Sequence, residues 1–155
     1  MSASEETIVV RSARPADVPR LVELLEHGSL VEGKEDSSAL GTYEAALAEI
    51  QASPSSDVLV AEFEGGVVGV CQLLVFRHFQ ARGGRCAEIE SVHVHPDHRS
   101  VGIGGRLLEE AVARAAAAGC YRVQLTSNLA RSDAHRFYVR HGFEPTHQGF
   151  KRLLG

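Results

Sequence analysis

The sequence contains no tryptophan and a single methionine, and aromatic residues make up only 6% of it. Its three cysteines, Cys71, Cys86 and Cys120, are far apart, odd in number and form no CxxC pair. This argues against a disulfide framework and suits a reduced, cytoplasmic setting in which the thiols are small core residues. No apolar run approaches the ~20 residues of a membrane span. Met1 to Thr7 is polar and acidic, without the basic and apolar segments of a signal peptide. Positive charge is also scarce: 16 Lys and Arg stand against 20 Asp and Glu, a net charge of −4. Nucleic-acid binding, which draws on a basic face, is therefore not expected, and neither is membrane association.

What is present suits one domain over residues 1–155. Apolar residues form 44% of the chain and charged residues 23%, enough for one core without a metal or disulfide staple. No repeat, low-complexity tract or linker is visible. Ile8 to Ser12 reads as a first strand. A helix with Pro15 in its first turn follows, with Val18, Leu21, Val22 and Leu25 at i, i+3, i+4 and i+7, and Gly28 as its stop. Ser29 to Leu40 reads as a mobile polar loop, and Thr42 to Gln51 as a second helix ended by Ser53-Pro54. Strands are expected at Val58–Phe63 and Val67–Phe76, joined by a hairpin turn at Glu64-Gly65-Gly66. A basic turn, Arg77 to Arg85, leads to a strand from Glu88 to His95 that Pro96 stops.

The strongest helix pattern runs from Gly102 to Ala118, where Ile103, Leu107, Leu108, Ala111, Val112 and Ala115 make one apolar stripe closed by Gly119. A strand at Arg122–Thr126, a short helix at Ser132–Arg140 and a last strand or hairpin within Phe143–Leu154 complete the order β α α β β β α β α β. Strand–helix–strand units in the C-terminal half imply an α/β layer with some parallel pairing.

Chemistry concentrates at Arg99-Ser100-Val101-Gly102-Ile103-Gly104, between a strand and that helix. Glycine lets the backbone approach a ligand closely, and the helix N-terminus offers free N–H groups and partial positive charge. A phosphate or pyrophosphate fits there. The alternative is a loop that only opens a helix. A dinucleotide fingerprint would need glycine where Leu107 stands, and no GxxxxGK[ST] occurs.

Val92-x-Val94-x-Pro96-x-x-Arg99-x-x-Gly102-x-Gly104 resembles the acetyl-CoA motif of the GNAT superfamily of N-acetyltransferases. Ala134-His135-Arg136-Phe137-Tyr138-x-x-x-Gly142-Phe143 resembles that superfamily's C-terminal motif. The stretch Leu125 to Tyr138 is similar to the aminoalkylphosphonate N-acetyltransferases within it. The resemblance implies a mixed α+β fold: a mostly antiparallel sheet with splayed parallel strands four and five and flanking helices. It implies acetyl-CoA as co-substrate, held by the backbone of Val92, His93 and Val94 and by the N–H groups of Arg99 to Gly104. The departure is Ser100-Val101, where family members carry a small residue and often a basic one.

The resemblance also makes Tyr138 the general acid for the leaving thiolate, since a phenol with a pKa of ~10 keeps its proton at neutral pH; the alternative is a packing tyrosine. A base must take a proton from the alkylammonium. Glu90 is the first candidate, Glu88 the second, and water a third. Alternation puts Glu88, Glu90, Val92 and Val94 on one face of the strand and Ile89, Ser91 and His93 on the other. Asn128 and Arg131 stand where family members contact the cofactor, or else act as a cap and a surface residue. His93, His95 and His98 invite a metal reading, but no second ligand cluster accompanies them and no metal is expected. Arg77, His78, Arg82 and Arg85 form a basic cluster that the resemblance places near the acceptor. The acceptor that the resemblance implies is a primary amine of a small molecule, such as an aminoalkylphosphonate or another anionic amine, acetylated by direct transfer. A homodimer is common for such folds. The other readings are a non-catalytic CoA-binding regulatory module and a protein N-terminus or lysine acetyltransferase.

Overall fold

The computed structural model describes residues 7–155; the acidic stretch at residues 1–6 lies outside the described residues. Five strands form one sheet in the order β1 (Val9–Ser12), β2 (Ser56–Phe63), β3 (Gly66–Arg77), β4 (Arg85–Val94) and β5 (Cys120–Leu125). All neighbours are antiparallel except β4 and β5, which are parallel. The sheet matches the mixed architecture expected from the sequence. Glu64 and Gly65, at φ 51° and 78°, make the β2–β3 hairpin turn, in which both central residues turn left-handed.

Period-two alternation gives the sheet two apolar faces. Leu59, Ala61, Cys71, Leu73, Ala87 and Ile89 face the helix α4 (Ile103–Ala117), whose Ile103, Leu107, Leu108, Ala111 and Ala115 are buried. Each large side chain of that stripe contributes about 1.5–3 kcal/mol by leaving water. Val60, Val67 and Val70 face α1 (Val18–Gly28) and α2 (Leu40–Ala52). In α1 the core takes Leu24 along with Val18, Leu21 and Val22, and Leu25 is only half-buried, so the stripe is rotated slightly from the expected one. Among the described residues no helix is long and apolar enough to cross a membrane.

The segment between α1 and α2 is irregular, as expected, and is tied down: Tyr43 Oη donates to Glu35 (2.8 Å) and accepts from the Asp36 N–H (2.9 Å). Between β3 and β4 the chain makes one turn, α3 (Gln80–Gly83), in which Ala81 and Arg82 have φ of 53° and 58°. The last helix is α5 (Ser132–Arg140).

Two sequence expectations do not hold. Residues 143–155 contain no strand or hairpin. A strand requires a neighbour to satisfy its backbone, and the tail does not lie on one in its own chain. The alternation expected along β4 also breaks. Gln72 faces Glu90 and Val70 faces His93, so Ser91 and Val92 together oppose Cys71, and Ser91 takes φ 54°. This is a β-bulge, and one extra residue exchanges the faces beyond it. Val92 and Val94 therefore pack with Ile89 toward α4, while His93 turns toward α1, on the face of Glu88 and Glu90.

Candidate active site

Strand β4 has two halves. From Arg85 to Ile89 it is paired with β3 on one side and β5 on the other; the β5 ladder ends at Ile89 opposite Leu125. From Glu90 to Val94 only β3 remains, because the chain leaves the sheet after Leu125. The β5-facing backbone groups of that half are left to a ligand or to water. Val92, His93 and Val94 lie on this free stretch.

The glycine loop follows after a short turn at Pro96–His98. Ser100 and Gly102 have φ of 69° and 90°, and Gly102 opens α4 as its N-cap with nothing within 4 Å of where a side chain would begin. Left-handed residues next to a helix start turn successive N–H groups inward, a concavity suited to an anion. The first N–H groups of the helix, from Ile103 and Gly104, have no helical acceptor. Val101 is half-exposed on this loop, and Arg99 Nε reaches back to the Val94 carbonyl (3.4 Å). Gly104 and Gly105 bring α5 close: a Cβ at Gly104 would lie 3.2 Å from Phe137 Cζ, and one at Gly105 3.0 Å from His141 Cε1.

That contact carries Tyr138 to the core edge, where its ring packs with Phe137 and Phe143. Its hydroxyl makes no hydrogen bond among the described residues and is not sealed from solvent. Burial raises its pKa, with the charge of Arg131 opposing, so the phenol stays protonated at neutral pH. Cys71, the thiol whose charge bears on Tyr138, is pushed up to about 12 by burial and is no nucleophile.

The two glutamates differ. Glu88 Oε2 accepts from Gln124 Nε2 (2.7 Å), its register partner on β5. Glu90 lies one step beyond the ladder, where partial burial, and then the Glu88 carboxylate, raise its pKa; Lys34 opposes. His93 is held neutral at about 4, first by burial and then by Arg131 and Lys34. A Cβ at Gly28 would fall 1.9 Å from His93 Nδ1, so the glycine that ends α1 also makes room for this ring. Arg131 donates to the Gly28 carbonyl, tying the start of α5 to the end of α1. Asn128 Oδ1 accepts from the Ala130 N–H (2.9 Å), and its carbonyl accepts from the Arg131 N–H (2.9 Å), a local turn before α5. The charge of Lys34 thus bears on both Glu90 and His93, and that of Arg131 on His93 and Tyr138. Neither Lys34 nor Gln124 had a motif to announce it.

The basic turn stands elsewhere. Arg85 begins β4, five residues and about 16 Å from Glu90 at the rise of an extended strand. Arg77 donates to the Gly83 carbonyl (2.6 Å), Arg85 to that of Ala118 (3.1 Å), and His78 pairs with Tyr121 Oη (2.5 Å). The cations whose charge bears on the free half of β4 are instead Arg131, Lys34 and Arg99. The histidines also regroup. His95 joins Glu23 and His27, with ligand atoms within 4.8 Å of one another. Glu23 already pairs with Arg20 (2.7 Å), and His95 Nδ1 accepts from the Asp97 N–H (3.2 Å).

Residues 21–143 match the model of the Acetyltransferase (GNAT) family. The aminoalkylphosphonate N-acetyltransferase of Salmonella typhimurium strain LT2 is 35% identical over 101 residues, 65% of this chain and 65% of that protein. The L-amino acid N-acyltransferase MnaT of Escherichia coli K12 is 32% identical over 108 residues, 68% of this chain and 62% of that protein. The chain thus spans a little under two thirds of the length of these curated relatives. A crystal structure of a transcriptional regulator from Bacillus halodurans C-125 superposes with a TM-score of 0.90 at 31% identity, over 96% of this chain and 100% of that one.

Proposed function

Since the chain belongs to the GNAT family of acetyltransferases, we propose that it moves the acetyl group of acetyl-CoA directly onto the primary amine of a small molecule that also carries an anionic group. The observation that carries this reading is the free half of β4 followed by a left-handed loop at a helix start, with Tyr138, whose hydroxyl is unbonded, packed against the same core as Val92 and Val94. The residues fit acetyl-CoA: the concavity of Ser100 to Gly104 suits a pyrophosphate, and the open edge of Val92, His93 and Val94 suits amides in line with it. The role of a missing basic residue at Val101 falls to backbone donors.

Acetyl-CoA supplies an activated acetyl thioester. Glu90, with a raised pKa and no hydrogen-bond partner among the described residues, takes the proton of the acceptor ammonium; Glu88 is already engaged by Gln124. As the C–N bond forms and the C–S bond breaks, Tyr138 Oη would donate its proton to the departing sulfur, and the second proton of the attacking nitrogen would pass to the Tyr138 phenolate, directly or through water, leaving a neutral amide. Arg131 and Asn128 shape the cleft wall, and Arg131 adds positive charge to it. Lys34 and Arg131 beside Glu90 and His93 suit an acceptor with a phosphonate or carboxylate next to its amine. Both curated relatives are named for acceptors of that kind. The chain is read as one domain, 1–155, working in the cytoplasm with its thiols free.

Thiol release from acetyl-CoA over an amine panel tests the reading. Aminoalkylphosphonates or amino acids should turn over faster than neutral alkylamines of equal length, and Lys34→Ala should raise KM for the anionic acceptors alone. Equal turnover of neutral and anionic amines would sink the anionic acceptor. Acetyl-CoA binding without turnover of any amine would favour the second reading, a CoA-binding regulatory module, which the similarity to a protein described as a transcriptional regulator supports.

A further inference from the structure

Cys86 is a buried thiol that acetyl transfer does not use. It is 0% exposed and lies on β4 two residues before Glu88, so both side chains point to the same face. Their partners across the parallel ladder are Arg122 and Gln124 of β5. Gln124 reaches both: its Nε2 donates to Glu88 Oε2 (2.7 Å), and its Oε1 accepts from Cys86 Sγ (3.5 Å). The chemistry of the three groups selects this arrangement. An ionised carboxylate only accepts, so the amide nitrogen must face Glu88. The amide oxygen then faces Cys86, and the thiol supplies the proton it needs. The other acceptor of that thiol, the Ala87 carbonyl, is at 3.6 Å. The row leads to Glu90, on the same face one step past the last β5 pair. Two residues of extended strand separate the Cα atoms of Glu88 and Glu90 by about 7 Å.

We propose that Gln124, turned by Cys86, is a positioning residue of the acyl transfer: it fixes the Glu88 carboxylate beside Glu90, and that fixed negative charge keeps Glu90 a competent base. The inference rests on the reading of Glu90 as the base. A glutamate without a partner would swing its charge into water, where it is screened. Held from β5, Glu88 keeps its charge on the face of Glu90. That charge is the second cause, after burial, of the raised pKa of Glu90. Lys34, from the segment between α1 and α2, opposes it, and His93, on the same face past the bulge, is held neutral. Like charge beside the base makes it readier to take a proton. Gln124 is the last residue but one of β5, so the strand places its amide just before it leaves the sheet.

Gln124→Met keeps the length of the side chain and removes both hydrogen bonds. It should lower kcat/KM for the amine about 10-fold, the weight of one hydrogen bond to a charged group, and leave the melting-temperature increase from acetyl-CoA unchanged. In a Glu88→Gln background the same substitution should cost nothing further. Exchange of the pair, Glu88→Gln with Gln124→Glu, restores the hydrogen bond and leaves Cys86 an oxygen to donate to, but moves the charge to β5. It should recover the melting temperature that Gln124→Met loses, and not the parent's kcat/KM. A carboxyl-carbon magnetic resonance titration should give Glu90 a midpoint below the parent's in both Gln124→Met and Glu88→Gln. Recovery of kcat/KM in the exchange would make the pair a structural link of the sheet and overturn the inference. So would additive losses in the double variant, or an unmoved Glu90 midpoint. Parental activity in Glu90→Gln, or a parent that acetylates no amine, would overturn Glu90 as the base and the positioning with it. The Glu90 midpoint tells the two failures apart, because it still shifts when only the reading of Glu90 as the base is wrong.

Discussion

The two halves of β4 share one strand and differ in one neighbour. Arg85 to Ile89 is zipped on both sides and its Cys86, Ala87 and Ile89 are 0%, 0% and 2% exposed. Glu90 to Val94 has lost β5, gained a bulge at Ser91 and kept its side chains partly in water. The paired half supplies rigidity; the free half supplies unspent backbone donors and acceptors. An open strand edge arises here by withdrawing a strand from a sheet, while the bulge turns His93 to one face and the two valines to the other.

The comparison breaks most severely at Tyr138. Tyr138→Phe removes a hydroxyl that bonds to nothing among the described residues, so folding and acetyl-CoA affinity should stay close to those of the parent. The value of kcat should fall by about 10²–10⁴, the range for a positioned proton donor. A change within twofold would leave Tyr138 a packing residue of the paired core.

Glu90 and Glu88 test where the boundary lies. Glu90→Gln should lower kcat/KM by about 10² near neutral pH, with partial recovery as the free amine becomes abundant at high pH. Glu88→Gln, inside the ladder and held by Gln124, should cost less. A uniform loss at every pH would make Glu90 a binder of the ammonium. The reverse ranking of the two variants would move the chemistry into the paired half.

The loop before α4 should respond to charge. Val101→Glu adds a carboxylate at an exposed position beside the anion-binding concavity, and should weaken acetyl-CoA about 10-fold by the like charge. The readout is the loss of the melting-temperature increase that acetyl-CoA gives the parent. Gly104→Glu is a poorer probe, because its side chain would also push Phe137 and the helix that carries Tyr138. An undiminished increase in Val101→Glu would place the pyrophosphate elsewhere.

Much of this was legible in the sequence because its signals are local. The α4 stripe, the Glu64-Gly65 hairpin, the glycines before α4 and the aromatic pair on α5 each declare themselves within a few residues. The bulge does not: Ser91 takes a left-handed conformation that no glycine or asparagine advertises, so the face assignment failed from Val92 onward. Gly28 was readable as a helix stop, while its closeness to His93 is a tertiary fact of α1 on β4. Lys34 bears on Glu90 and His93 from a segment that Tyr43 ties down through Glu35 and Asp36, which is again a tertiary fact. The tail reads as a strand because its composition suits one, and composition does not supply the neighbour that a strand needs.

The smallest expected effect is on stability against pH, and it comes from His93 in the free half. Its folded pKa of about 4 lies below the ordinary value of 6.5, because burial and the charges of Arg131, Lys34 and Arg99 disfavour the imidazolium more than Glu35 favours it. The unfolded chain therefore takes up a proton that the folded chain refuses. The stability this residue allows is fully present above pH 6.5 and is lost progressively as pH falls toward 4. Asp17, whose carboxyl Arg11 holds below its usual range, loses its contribution only at more acidic pH. His93→Asn should flatten the fall in unfolding free energy between pH 6.5 and 4, by a fraction of a proton in slope, and leave the curve above pH 7 parallel to the parent's. Urea titrations at half-unit intervals of pH measure it. Equal slopes for the two proteins would mean that the imidazole protonates freely in the fold, and that the free half of β4 is open to water on the α1 side as well.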